Sequence, residues 1–296
     1  MANTIQLAER FLPILDGIYK KASLTSRLDA LDERTRFVGA NKIQVFKTEM
    51  SGFGNYSRAT GFPKGDVTSG WEDYTLECDR GISLFVDAMD DEETMGMAFG
   101  TLQGEFVRTK EVPEVDAYRF AKLAGTTGIS TATPVDIVVG TTDCPALIDA
   151  AQMQMADDEV PTEGNLLYVS EKFYAGIKGK VTRILANENN VNREVEVFND
   201  MEVVRVPKGR FNTAITLNDG TNNFGFTVGG YPINFMIIHP SAVFSVAKHR
   251  EPRLFAPAVN QEMDAWKFDL RLYHDIFVYD NKVKGVYLNR AATANS

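Results

Sequence analysis

The chain has 296 residues, a net charge of −9 and a pI of about 5.0, with 44% apolar, 10% aromatic and 24% charged residues. That balance belongs to a globular chain long enough to bury a real core, and it excludes collagen-like and disordered classes. The acidic charge argues against a protein that grips nucleic acid through a basic face.

In chain order, residues 4–20 place Ala8, Phe11, Leu12, Leu15, Ile18 and Tyr19 at three- and four-residue spacing, which predicts one helical face, with Pro13 as a kink or break. The polar stretch "KKASLTSRLDALDERTRFVG" follows, so the first forty residues read as an arm carrying one short helix. A strand is predicted over "NKIQVFKTEM". Then comes "SGFGNYSRATGFPKGDVTSGW", with glycines at 52, 54, 61, 65 and 70 and no pattern of its own. Loops this long are usually functional or disordered.

From Tyr74 the alternation is of period two: Tyr74, Leu76, Cys78, Arg80, Ile82, Leu84 and Val86 share one face. This predicts a single half-buried strand about 50 Å long at ~3.3 Å per residue, too long to pack wholly on its own domain. Next, "DDEETMGMAFG" opens a helix with four acids, and Met95, Phe99, Leu102 and Phe106 form an apolar stripe. The helix either continues through Pro113 or meets a second segment there, and Val115 to Leu123 resumes the pattern.

"GTTGISTATP" is a turn-rich boundary, and "VDIVVG" fits either a strand or a helix start. A helix follows with Thr142 or Asp143 as its cap and Pro145 in its first turn; after it come a buried strand "LLYVS" and a short helix capped by Ser170. "REVEVFNDMEVVRVP" and "NFGFTVGGYPINFMIIHP" alternate as strands, and "AWKFDLRLYHDIFVYDNKVKGVYLN" reads as one or two strands with a turn at Asp280-Asn281. The irregular alternation predicts an α+β fold. The most apolar run is broken by Asn234, His239 and Pro240, so it is not a membrane span.

Little in the sequence points to catalysis. Cys78 and Cys144 are far apart with no CxxC, and His239, His249 and His274 form no HxH or HExxH. A zinc site is not predicted, and the cysteines read as reduced core residues of a cytoplasmic protein. The N-terminus carries early charge and no small-residue cleavage site, so no signal peptide is read and the sequon Asn55-Tyr56-Ser57 carries no meaning. "GFGNYS" and "GFPKGD" lack the spacing of phosphate-binding loops. The acids Asp87, Asp90, Asp91, Glu92 and Glu93 read as a solvated helix start rather than a cation site. His274-Asp275 reads as structural, with a metal-dependent hydrolase as the catalytic alternative. No cofactor is implied. An arm, a long hairpin and a long helix on a compact body leave strand edges that another copy of the chain would cover.

The order of these stretches resembles the major capsid proteins of tailed phages, those with the Hong Kong 97-type shell fold, and in particular members from phages of Gram-positive hosts. The likeness is carried by "MANTIQLAERFLPILDGIYKKASLT", the glycine loop with its return strand, "EFVRTKEVPEVDAYRFAKLA", "EGNLLYVSEKFYAGIKG", "VEVFNDMEVVRVPKGRF", "IIHPSAVFSVAKHREPRLFAP" and "AWKFDLRLYHDIFVYDNKVKGVYLN". It implies an N-terminal arm over 1–41, an extended loop hairpin over 42–88 and a peripheral domain with a spine helix over 89–133. An axial domain over 134–250 and peripheral return strands with a C-terminal tail over 251–296 complete the layout. It also implies a virion structural protein, not an enzyme, assembled in the bacterial cytoplasm into hexamers and pentamers of an icosahedral shell around double-stranded DNA held without sequence-specific binding.

A portal protein is implied as a partner, and decoration proteins stay open. The starting Met leads straight into the arm, so scaffolding is expected from a separate protein. Contacts between copies are expected at Phe53, Tyr56, Arg58, Phe62, Lys64 and Trp71 of the loop, and at Phe11, Leu12, Leu15 and Ile18 of the arm. Lys64 is assigned no cross-linking chemistry. The alternative within the same fold is an encapsulin-type compartment shell.

Overall fold

The computed structural model describes residues 23–29, 35–39, 41–58, 61–93, 103–188 and 191–295. The expected arm helix, with Phe11, Leu12, Leu15 and Ile18, and the stripe residues Met95, Phe99 and Leu102 lie outside the described residues. The elements are β1 (Thr35–Val38), β2 (Lys42–Met50), β3 (Val67–Thr75), β4 (Cys78–Asp87), α1 (Ala88–Glu93), a π-helical turn (Val107–Glu111) leading into α2 (Val112–Ala124), and β5 (Ser130–Thr131). Then come α3 (Cys144–Asp157), β6 (Leu166–Ser170), α4 (Glu171–Ile177), β7 (Thr182–Glu188), β8 (Val191–Phe198), β9 (Met201–Val206) and β10 (Asn212–Leu217). The last four strands are β11 (Phe226–Ile238), β12 (Val243–Phe255), β13 (Ala265–Val278) and β14 (Val286–Arg290). The class is α+β, as the sequence predicts.

An eight-stranded sheet runs β5-β14-β11-β6-β9-β8-β7, with β10 paired to β11. It is mixed: β6 lies parallel to β9 and β14 parallel to β5. Helices cover both faces. Leu166, Tyr168, Met236, Ile238 and Leu288 meet Phe120 and Leu123 of α2. Leu167, Val169, Phe235, Ile237 and Tyr287 meet Ile148, Phe173 and Ile177 of α3 and α4. Residues one apart therefore enter opposite cores, which is why "LLYV" and "FMII" are continuous apolar runs rather than alternating ones. Asn234 interrupts the second run at a register shift and donates to Val135 O (2.7 Å) and Asn289 Oδ1 (2.8 Å).

The caps stand where the sequence puts them. Asp143 accepts from Ala146 N (3.3 Å) ahead of Pro145, and Ser170 accepts from Phe173 N (3.3 Å). "VDIVVG" is neither strand nor helix but irregular chain. Pro113 does not break the helix. The π-turn just before it re-registers the ladder at the point where a proline has no N–H to give, and the helix continues to Ala124.

The single long strand expected from Tyr74 to Val86 is two strands in two sheets. β3 pairs with β2 in a three-stranded sheet ordered β1-β2-β3, and β4 pairs with β13 in another ordered β12-β13-β4. The chain switches partner at Leu76 and Glu77. Leu76 N donates to Asn41 O (2.8 Å), Glu77 N donates to Asp275 Oδ2 (3.0 Å), and Tyr273 donates its hydroxyl to Leu76 O (3.1 Å). Side-chain alternation runs unbroken through this corner, so period two alone cannot reveal it.

Candidate functional site

Beyond its root, the hairpin β2–β3 stands away from the body. At the root, Ile43, Val45, Tyr74 and Leu76 pack on Phe244, Val246 and Phe277, joining the two three-stranded sheets. Further out, one sheet face is open. Arg36 lies over Trp71 with its guanidinium carbon 3.7 Å from the ring centroid, and Phe46 meets Trp71 edge-on at 5.3 Å. A hydrogen-bonded row crosses the sheet, with Arg36 donating to Gln44 Oε1 (2.8 Å from Nη2) and Gln44 donating to Asp73 Oδ1 (2.6 Å). Met50 and Val67, paired in register at the outer end, are 75% and 69% exposed.

Between β2 and β3, Ser51 N donates to Asp66 O (3.0 Å) and closes the loop at its neck. Ser57 and Gly61 bridge, with a positive φ of 81° at Gly61 that suits glycine. Tyr56 and Phe62 meet with ring centroids 5.0 Å apart. These two contacts close the described part of the tip across the chain. The tip presents Phe53, Tyr56, Arg58, Phe62 and Lys64 to solvent, with Trp71 partly covered by Arg36 on the sheet below. The structure brings Tyr56 and Phe62 together and leaves Phe53 fully exposed.

Sequence reasoning missed the anchor at the arm's inner end. Asp116 on α2 is buried and accepts from Ser23 Oγ (3.1 Å), Leu24 N (3.2 Å), Thr25 N (3.3 Å), Thr25 Oγ1 (2.7 Å) and Arg210 Nη1 (3.2 Å). Arg119 donates to Thr25 Oγ1 (2.9 Å) and pairs with Asp29 (2.7 Å), while Leu28 enters the core. Arg27 pairs with Glu202 of β9. The only signal in the sequence was two charges on the inward face of a helix. β1 was missed as well, being four residues of an otherwise polar stretch.

His274 and Asp275 sit in a buried polar knot beneath the β3–β4 corner. Burial, with Arg119's charge adding, pushes the His274 imidazole down to about 3, and its Nε2 lies 3.5 Å from Cys78 Sγ. Burial, with the charges of Asp275 and Glu114 adding, pushes the Cys78 thiol up to about 12. Asp275 accepts from Tyr118 OH (3.1 Å), Glu77 N (3.0 Å) and its own neighbour Ile276 N (2.8 Å). Its carboxylate holds backbone at the corner rather than orienting the imidazole, and a thiol held neutral is a poor nucleophile. Among the described residues no three His, Cys, Asp or Glu side chains gather as a metal site, and no helix is long and apolar enough to cross a membrane. Asp87 Oδ1 accepts from Met89 N (2.9 Å), as at a helix start.

No family model matches the chain, and no curated protein matches it in sequence. Solved structures do match. The capsid structure of the cyanophage P-SCSP1u is 14% identical with a TM-score of 0.58, over 87% of this chain and 85% of that one. A Gordonia phage Cozz structure is 12% identical with a TM-score of 0.60, over 92% and 87%. The virus-like particle from Pyrococcus furiosus is 12% identical with a TM-score of 0.54, over 98% and 100%. The class defined by this architecture is one of fold: the chain has the fold of phage capsid proteins.

Proposed function

We propose that this chain is the major capsid protein of a tailed bacteriophage, a structural subunit that self-assembles into the icosahedral shell enclosing a double-stranded DNA genome. One observation carries the reading: a capsid fold whose hairpin β2–β3 stands clear of its own body and ends in exposed aromatics. Such a hairpin has an open sheet face and open strand edges that a second copy can cover, and aromatic side chains are favoured anchors at interfaces. The acidic charge of −9 fits a wall that lets packed DNA slide, since each retained phosphate contact adds salt-dependent adhesion.

In this reading residues 1–41 are an arm, 42–88 the extended loop, 89–133 and 251–296 a peripheral domain with the spine helix, and 134–250 an axial domain. The loop contacts are Phe53, Tyr56, Arg58, Phe62, Lys64 and Trp71, and the arm contacts are Phe11, Leu12, Leu15 and Ile18. Hexamers and pentamers form in the host cytoplasm with a separate scaffolding protein and a portal protein.

The test is electron microscopy of the protein co-expressed with candidate scaffolding proteins. Closed shells are expected, and a monomer under every condition overturns the proposal. A second reading, a compartment shell of the encapsulin type, is favoured by the end-to-end match to the Pyrococcus furiosus particle. Particles purified from the native source separate the two, holding DNA in the first case and a protein cargo in the second.

A further inference from the structure

The inward face of β4 is apolar except at Arg80, which sits between Cys78 and Ile82 opposite Leu272 of β13. A charge on a strand's packed face needs partners, and Arg80 finds them on two other elements. Its Nε donates to Glu114 Oε1 of α2 (2.6 Å), its Nη1 to Asn218 O (2.6 Å) and its Nη2 to Gly225 O (3.1 Å). Asn218 and Gly225 are the two residues that close the turn between β10 and β11, since Asn218 N donates to Gly225 O (2.9 Å). One planar guanidinium therefore ties the mouth of a turn from the eight-stranded sheet to the three-stranded sheet and to the helix between them.

β10 itself packs on α2, but the tip of the turn is open. Phe224 at its tip is 73% exposed. A Cβ built on Gly225 meets nothing nearer than Glu114 Oε2 at 4.0 Å. Beneath the turn lies a groove of about 500 Å³, with Ile82, Leu84, Phe106 and Leu270 among its walls. The attachment is polar and partly open to solvent, with the Arg80 side chain 26% and the Glu114 side chain 18% exposed, so water can reach it. Further along, Val243, Ile276 and Val278 of β12 and β13 share one apolar core with Leu166, Met236, Ile238 and Leu288 of the eight-stranded sheet, where water is no substitute, so the polar tie at the turn is the weaker end of the contact between the two sheets.

We propose that Arg80 is a latch. Closed, it braces the β10–β11 hairpin against β4 and α2; released, it lets the eight-stranded sheet change its angle to the sheet β12-β13-β4. The second part rests on the capsid reading: a subunit that enters both fivefold and sixfold surroundings must hold more than one such angle, and the latch is where those conformers differ. Arg80 is a positioning residue, and its planar three-donor fork explains why arginine rather than lysine stands there.

The test uses Arg80→Met and the milder Arg80→Lys in the full chain, with hydrogen exchange on unassembled subunits and electron microscopy of assembled shells. Hydrogen bonds to a charged group contribute enough that losing them should speed exchange at 217–227 by about tenfold or more in Arg80→Met. Arg80→Lys, able to reach fewer of the three acceptors at once, should fall between, and it keeps the test decisive if Arg80→Met does not fold. Exchange confined to that turn, with shells of irregular size, supports the proposal. Unchanged exchange at 217–227 overturns the latch whatever the shells look like. Faster exchange with shells as uniform as the parent's overturns its link to curvature. If the parent forms no shells under any condition, the capsid reading and the curvature link fail together, while exchange alone still decides the latch.

Discussion

Asp116→Ala removes the centre of the contact that fixes the arm's inner end. The carboxylate is fully buried and accepts from two backbone amides, two hydroxyls and Arg210. Removing one member of a buried ion pair generally costs about 3–5 kcal/mol, because the other charge is left uncompensated. The Arg210 side chain is 22% exposed and can recover some hydration, so the lower end, about 3 kcal/mol, is expected. Asp116→Asn keeps one acceptor but turns an NH2 group toward donors, for about 2 kcal/mol. Urea denaturation of the unassembled subunit measures both. Limited trypsin digestion adds a local readout, because freeing Ser23 to Asp29 exposes the bond after Arg27. A loss below about 1 kcal/mol with an unchanged digestion pattern would show that the anchor lies elsewhere and refute the reasoning.

Stability should also fall with acid. His274 is held near 3 in the fold against an ordinary value of about 6.5, so the unfolded chain binds the extra proton. Its contribution is intact above about 6.5 and is lost as pH drops toward 3, at up to about 1.4 kcal/mol per unit. Asp275, raised by burial, works in the other direction and loses its contribution as pH rises through its folded value; comparing pH–denaturation profiles of the parent and His274→Leu isolates the histidine, and equal acid slopes would contradict the assignment. Replacing residues 52–65 by Asn-Gly should leave far-ultraviolet circular dichroism unchanged, since Ser51 and Asp66 already face each other across the neck. The shortened protein should form no closed shells by electron microscopy, and normal shells would make the tip mere decoration. Gly176→Ala would place a Cβ 2.5 Å from Cys144 Sγ, an overpacking expected to cost about 1–3 kcal/mol. Cys144→Ala should restore much of that loss in thermal melts, and no restoration would mean the strain has another source.

Local features were readable from sequence and long-range ones were not. The caps at Asp143 and Ser170 are set by a side chain meeting an amide three residues on, and the apolar runs of β6 and β11 declare burial on both faces. The corner at Leu76 is invisible locally because its cause, Asp275, is 198 positions away from Glu77. β12 carries Lys248, His249, Arg250, Glu251, Pro252 and Arg253 in a row, a composition that hides a 13-residue edge strand and is tolerated because edges face water. The exposure of the loop aromatics was legible, since they are apolar residues with no core pattern around them. The Asp116 anchor and the Arg80 fork were not, because a charged residue within an apolar pattern shows only that a partner is needed, never which.

The central strands of the eight-stranded sheet are covered on both faces. Its own helices close one side with Phe120 and Leu123 and the other with Ile148 and Phe173, so the proposed contacts between copies fall to hairpins, loops and edges. On the proposed reading, folding and association are thereby assigned to different residues of the same chain. A change to the tip at 52–65 does not disturb the packing of Tyr168 or Phe235, and a change in those cores does not alter what the tip displays. The same partition makes the tip an exchangeable cassette for anyone wishing to re-address the subunit.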